Sequence, residues 1–259
     1  MSESAKSLPL PQTFTRSRRG NSHSRISSHA RDQRDRAGVR RKLLRARLSD
    51  LPLPITLLLL ALLLPPELDF YLGGLRLNCL RLILVLFLPP AIGRLLSSRG
   101  PKLRSFDFLL VGAFAYFALT FFLKQPLPMA IQSGGIVFLE GVGTYLITRA
   151  YIRNAYQFLA AVKLLFFMVL LAGAFAIPES LLHSHFARDI AAAISGAPTL
   201  SWGETRLGLL RAMSVFEHPI HYGVFCASVF GLVWFTQQDP ARRIFLCSLI
   251  GGATFFSLS

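Results

Sequence analysis

From residue 51 onward the chain is built of long apolar blocks. Leu57–Leu64 and Leu164–Ala174 contain no charged or strongly polar side chain, and several longer stretches approach the roughly 18–20 apolar residues that carry a helix across a bilayer. A helix satisfies its own backbone groups in lipid, so solid apolar blocks predict spanning helices. The inside/outside alternation of a β-barrel strand is missing. The expected fold is all-α, a polytopic transmembrane helical bundle. Seven spans are predicted, at about 51–66, 80–96, 108–123, 129–148, 158–177, 219–235 and 244–259. With 53% hydrophobic residues and a mean hydropathy of +0.49, the composition agrees.

The net charge of +15 invites a nucleic-acid reading, but its distribution argues against one. Residues 1–50 hold 13 of the 28 Lys and Arg residues and four of the 13 acids. Such a segment buries too little apolar surface to offset its ordering entropy, so it reads as a disordered basic cytoplasmic tail. It could attract anionic lipid headgroups or serve only to set topology. No ordinary signal peptide is seen, because the first apolar run begins near Leu51. Cys79, Cys226 and Cys247 lie in or beside apolar runs and read as small buried residues.

Loop charges orient the spans. The tail, the stretch from Arg94 through Gly100–Arg104, Arg149 with Arg153, and Arg242 with Arg243 all fall on one side of a seven-span scheme. The positive-inside rule makes that side cytoplasmic, with the N-terminus inside. Arg76 and Arg81 fall on the other side, mildly against the scheme. The long segment 178–218 also falls there and carries Glu179, His183, His185, Arg188, Asp189, Glu204, Arg206, Arg211, Glu217 and His218. Within it, Asp189–Ser195 could form a short helix stopped by Gly196. The domain expectation is therefore a tail over 1–50 and a transmembrane domain over 51–259. The chain halts in an apolar run without a charged flank, which reads as the N-terminal portion of something longer.

The segment Arg211–Phe225 concentrates the candidates. Arg211, with Arg206 five residues earlier, offers guanidinium forks suited to phosphate oxygens; headgroup anchoring would explain both equally. Pro219 fits the first turn of a helix, and Glu217 then meets the positive end of the helix dipole. His218 and His221 share a helix face, and His218 could be a general base or a capping residue. His183, His185, His218 and His221 lack metal-ligand spacing, so no metal is called. Glu140 and Lys163 lie within predicted spans, about 12 Å and 7–8 Å from the same end, and could pair across neighbouring helices. No phosphate-binding loop, dinucleotide fingerprint, nucleophile elbow or zinc-protease motif is present.

Arg211 followed by Phe216, His218, Pro219 and Gly223 resembles the signature of the O-antigen ligase / Wzy-type polysaccharide polymerase superfamily, in which an arginine precedes an F-x-H-P-x-x-x-G segment opening a span. Leu64–Leu68 with the run from Phe70, and the terminal Phe255–Ser259, resemble further stretches of that family. The resemblance implies a bacterial inner-membrane glycosyltransferase. Its partners would be an undecaprenyl-pyrophosphate-linked glycan donor and a lipid A–core or growing glycan acceptor, with membrane lipids around it, no nucleic acid and no cofactor. Arg211 matches the arginine that holds pyrophosphate. His218 belongs to the motif, while the acceptor-activating histidine of ligases lies in a later loop. A non-enzymatic exporter component or permease, or an inactive truncated product, stays open as the alternative.

Overall fold

The computed structural model describes residues 47–68, 70–72, 75–97, 100–101, 103–196 and 203–257. The expectations for the tail over 1–46, for Arg99 and for the last two residues lie outside the described residues. The described part is mainly helical, with two short hairpins. Five helices are long and apolar enough to cross a membrane: α2 (Cys79–Leu96), α3 (Ser105–Lys124), α4 (Leu127–Tyr151), α5 (Ala155–Leu182) and α7 (Pro219–Thr236).

Five of the seven expected spans are long apolar helices, and the two end segments form shorter ones. The first apolar run forms only α1 (Leu53–Ala61) before turns lead into Pro65-Pro66. The last forms α8 (Pro240–Phe255). At 1.5 Å per residue the nine-residue α1 is about 14 Å long and the sixteen-residue α8 about 24 Å, against a hydrocarbon core of ~30 Å. Composition alone could not show where the helical hydrogen bonding stops. α1 does start as its prolines predict, with Pro52 as the N-cap and Pro54 in the first turn.

Side-chain pairs fix how the helices lie. Asp107 of α3 meets Tyr145 of α4, and Ala118 meets Gly134, so these helices form an antiparallel hairpin. Arg94 of α2 stacks over the Tyr151 ring of α4, 4.3 Å from its centroid. Leu84 touches Gly143, and Arg81 meets Glu140. The near-constant offset makes α2 and α4 parallel neighbours. Pro52, Arg94, Tyr151 and Arg153 line one recess at a shared end of the bundle, while the turns after α1 reach the start of α2 at the other end.

Two apolar cores result. One joins α1, α2, α4 and the start of α5 through Ile55, Leu58, Leu84, Ile147 and Ala160. The other joins α5, α7 and α8 through Val169, Ala172, Ala176, Tyr222, Val229 and Ile250. In lipid no hydrophobic force draws helices together, so close contact of small residues matters more. A Cβ placed on Gly173 would lie 2.9 Å from the Ala253 Cβ. Cys226 and Cys247 are buried here, as expected. The outer face of α3 exposes Phe106, Phe108, Leu109, Tyr116 and Leu123, an apolar surface suited to lipid.

The long connection differs from its expected bounds. α5 continues through Pro178 to Leu182, so the connection to α7 begins at His183. It contains α6 (Phe186–Ser195), closed by Gly196 in the left-handed region at φ 71°, which extends the predicted Asp189–Ser195 helix by three residues. A hairpin follows, pairing β3 (Thr205–Arg206) with β4 (Leu209–Leu210). Its turn residues Leu207 and Gly208 are both at positive φ, the geometry that matches strand twist in a two-residue turn. Another hairpin, β1 (Phe70–Leu72) with β2 (Leu75–Leu77), precedes α2.

Candidate functional site

The segment leading into α7 is buried and tied down from several directions. Glu179, 1% exposed near the end of α5, accepts the Met213 N–H on Oε1 at 3.0 Å and the Ser214 N–H on Oε2 at 2.8 Å. His185 Nδ1 meets the same carboxylate. Ser214 sits at φ 54°, and its Oγ donates to the Ala172 carbonyl at 2.9 Å. Ser180 Oγ donates to the Leu210 carbonyl at 2.7 Å, and the Ala212 N–H to the Phe256 carbonyl at 2.9 Å. A carboxylate is an acceptor with several lone pairs, and here it replaces the strand or helix partners that residues 213 and 214 lack. By sequence Glu179 falls among the charges of the long connection. Its position within four residues of the helix end was the only local signal.

Arg211 is 5% exposed. Its Nη1 donates to the carboxylate of Glu204, whose side chain is 58% exposed, and its backbone N–H donates to the Glu204 carbonyl at 3.1 Å. Among the described residues its Nε is buried without a hydrogen-bond partner. Arg206 lies on exposed β3, opposite Leu209. The ladder continues to Glu204 and Arg211, so side-chain alternation sets Arg206 and Arg211 on one face of the ribbon. The structure thus relates the two predicted arginines through the hairpin.

α7 begins where Pro219 predicts. His218 is the N-cap, and its Nδ1 accepts the Ile220 N–H at 3.1 Å. That is the capping role left open above, filled by an imidazole nitrogen. Phe216 stacks on Tyr222 and Phe225, with ring centroids 5.9 and 5.2 Å away. Gly223 is buried one residue after Tyr222, and the Tyr222 hydroxyl donates to the Ala253 carbonyl at 2.9 Å. Glu217 is exposed, and its carbonyl accepts from Arg188 Nη1 at 3.4 Å. Arg188 is itself buried and paired with buried Glu67, which binds α6 to the turn after α1. His221 is exposed, its ring 6.1 Å from that of His218.

The four histidines therefore divide among separate tasks. His183 ends α5 in the left-handed region, its Nε2 3.2 Å from the Gly208 carbonyl. His185 serves Glu179, and the other two open α7. Among the described residues no three His, Cys, Asp or Glu side chains are grouped to hold a metal ion.

A polar recess of about 260 Å³ lies beside this segment. Pro65, Pro66, Asn78, Cys79, Arg81, Glu140, Phe216, Glu217 and His221 are among its lining residues. Glu140 Oε1 accepts from Arg81 Nε at 2.9 Å, with the side chains 33% and 16% exposed. Here the expected partner changes: the structure pairs Glu140 with Arg81, where Lys163 was predicted. α4 runs beside α2 and packs chiefly on α2 and α3, with α1 also against it, while it shares a core only with the start of the α5 that follows it in sequence. Glu140 also lies in a π-helical turn, Leu139–Gly143. Such single-turn bulges inside α-helices recur at functional sites. Arg81 stands 13 residues from Arg94, so the pair is about 20 Å along the helix from the Arg94 end.

The fold and this site define a helical protein with five helices able to cross a membrane and a polar recess at the start of two of them. No family model, no curated protein and no solved structure matches the chain.

Proposed function

We propose that this chain acts as a bacterial inner-membrane glycosyltransferase of the O-antigen ligase/polymerase type. It transfers a glycan from an undecaprenyl-pyrophosphate carrier to a hydroxyl of lipid A–core or of a growing glycan. In this reading the N-terminus is cytoplasmic. The segment from Pro52 to Pro66 and helix α8 complete seven passes, and the connection 183–218 is periplasmic. The support for orientation is the four basic segments assigned to one side.

The observation that carries the reading is the setting of Arg211. Its buried guanidinium, whose Nε has no partner among the described residues, is held by Glu204, which is largely exposed just before the surface hairpin. A carboxylate there occupies the place a pyrophosphate oxygen pair would take, and guanidinium recognises both in the same forked geometry. Release of pyrophosphate builds negative charge at the leaving group, and a preoriented cation in a water-poor site stabilises it. Phe216, His218, Pro219 and Gly223, the residues of the family-like signature, follow directly and fix the start of α7.

The test is glycan transfer in cells with Arg211→Ala and His218→Ala, scored beside membrane insertion. Loss of transfer in Arg211→Ala with normal insertion is the expected outcome. Surface glycan unchanged in both variants overturns the reading. That result favours the second one, a permease, which draws on the Arg81–Glu140 pair at the π-turn, since ionisable groups at membrane depth mark transport pathways.

A further inference from the structure

We infer that the recess between the turn after α1, the start of α2, the π-turn of α4 and the start of α7 is a binding site for one neutral sugar ring. This deepens the glycan-transfer reading and rests on it for the choice of sugar as ligand. Three features of the lining argue for that ligand class.

Charge comes first. The residues lining the recess include two acids, Glu140 and Glu217, and one arginine, Arg81. Arg81 is already engaged by Glu140, which leaves the Glu217 carboxylate as surplus negative charge. A pyrophosphate would meet that charge, so the anionic end of a donor belongs at Arg211 and not here. Hydrogen bonding comes second. Carboxylates accept from hydroxyls, guanidinium donates to them, and the Asn78 and His221 side chains can do both. A polyhydroxylated ring satisfies such a mixed lining with no charge of its own. Shape comes third. At about 260 Å³ the recess falls just below the ~300–1,000 Å³ of pockets for drug-sized ligands. It holds one ring and not a chain. Phe216, Val215 and Leu80 supply apolar walls for a ring face.

The walls of the recess are also held in place. The π-turn places Glu140 where an unbroken α-helix would rotate it away. On one side Gly141 is locked, because a Cβ there would lie 2.1 Å from the Phe114 ring. The pair Arg188–Glu67 anchors the turn after α1 that forms the opposite wall.

Cys79 lines the recess, whereas Cys226 and Cys247 are buried in the second core. Its thiol is a reporter in the full chain in membrane vesicles, with a water-soluble maleimide as the label and Cys79→Ser as the control. A panel of methyl glycosides supplies the ligand. The labelling rate falls as one plus the ratio of sugar to Kd, so a binding glycoside at about twice its Kd slows Cys79 labelling about threefold. Glu140→Gln and Glu217→Gln each weaken that protection, and Arg211→Ala leaves it intact. The inference is overturned if Cys79 does not label, if no glycoside slows it, if protection survives both Gln substitutions together, or if inorganic phosphate protects in place of the sugars. Transfer lost in Arg211→Ala without any sugar protection breaks this inference alone. Sugar protection with transfer unchanged in Arg211→Ala breaks the pyrophosphate reading alone.

Discussion

Glu179 and Glu140 are both carboxylates within apolar helices, and they are treated in opposite ways. Glu179 is 1% exposed and takes two backbone N–H groups and an imidazole. Two of those donors hold residues 213 and 214 over α5. Glu140 is one-third exposed, takes one guanidinium bond and faces a recess. A saturated carboxylate at the end of a regular helix secures a segment, whereas one with acceptor capacity left, displaced by a π-turn toward a cavity, remains available to a ligand. Asp107 belongs with Glu179: the Arg104 N–H donates to it at the start of α3, and the Tyr145 hydroxyl donates to it across the α3–α4 hairpin.

The contrast can be broken most directly at Glu179. Glu179→Ala orphans two buried N–H groups and removes the carboxylate that a buried imidazole meets, so a loss of about 3–5 kcal/mol is expected. Thermal unfolding in detergent would show it, with faster proteolysis of the connection 183–218. Wild-type stability would mean that the segment is held by its other bonds and that saturation is not what makes a lock. The same region is tested next at its helix contact. Gly173→Val forces a side chain against Ala253 and should destabilise by about 1–3 kcal/mol, read as a lowered Tm. An unchanged Tm would show that α5 and α8 separate easily. The smallest stability effect belongs to Glu140→Gln, below about 1 kcal/mol because the pair is partly solvated. Its consequence should fall on ligand protection of Cys79. A Tm loss matching that of Glu179→Ala would place Glu140 among the locks.

Much of the helix layout was legible from local pattern. The start of α7 at Pro219, the proline-rich start of α1, the stop of α6 at Gly196 and the identity of five long apolar helices depend on propensities that neighbouring residues carry. The candidate site was legible in part. Arg211, Phe216, His218 and His221 fall near one another because they are close in sequence. Arg81, by contrast, looked like a charge on the wrong side of a topology scheme, and Glu179 looked like a loop residue. Neither has a local pattern that names its partner, since Arg81 meets a residue 59 positions away and Glu179 meets residues 34 and 35 away.

By itself the sequence determined that this chain forms apolar helices, where their prolines and glycines begin and end them, and which ends gather arginine. These follow from transfer free energy and backbone geometry, which each short window carries. The tertiary structure decided that α2, and not α5, lies along α4, that regular helix in the first apolar run stops at Ala61, and that Glu140, in a π-turn, meets Arg81. Those outcomes turn on which helices touch, and in an apolar bundle many pairings bury similar surfaces. Close-packed small residues and a few long-range polar bonds choose among them.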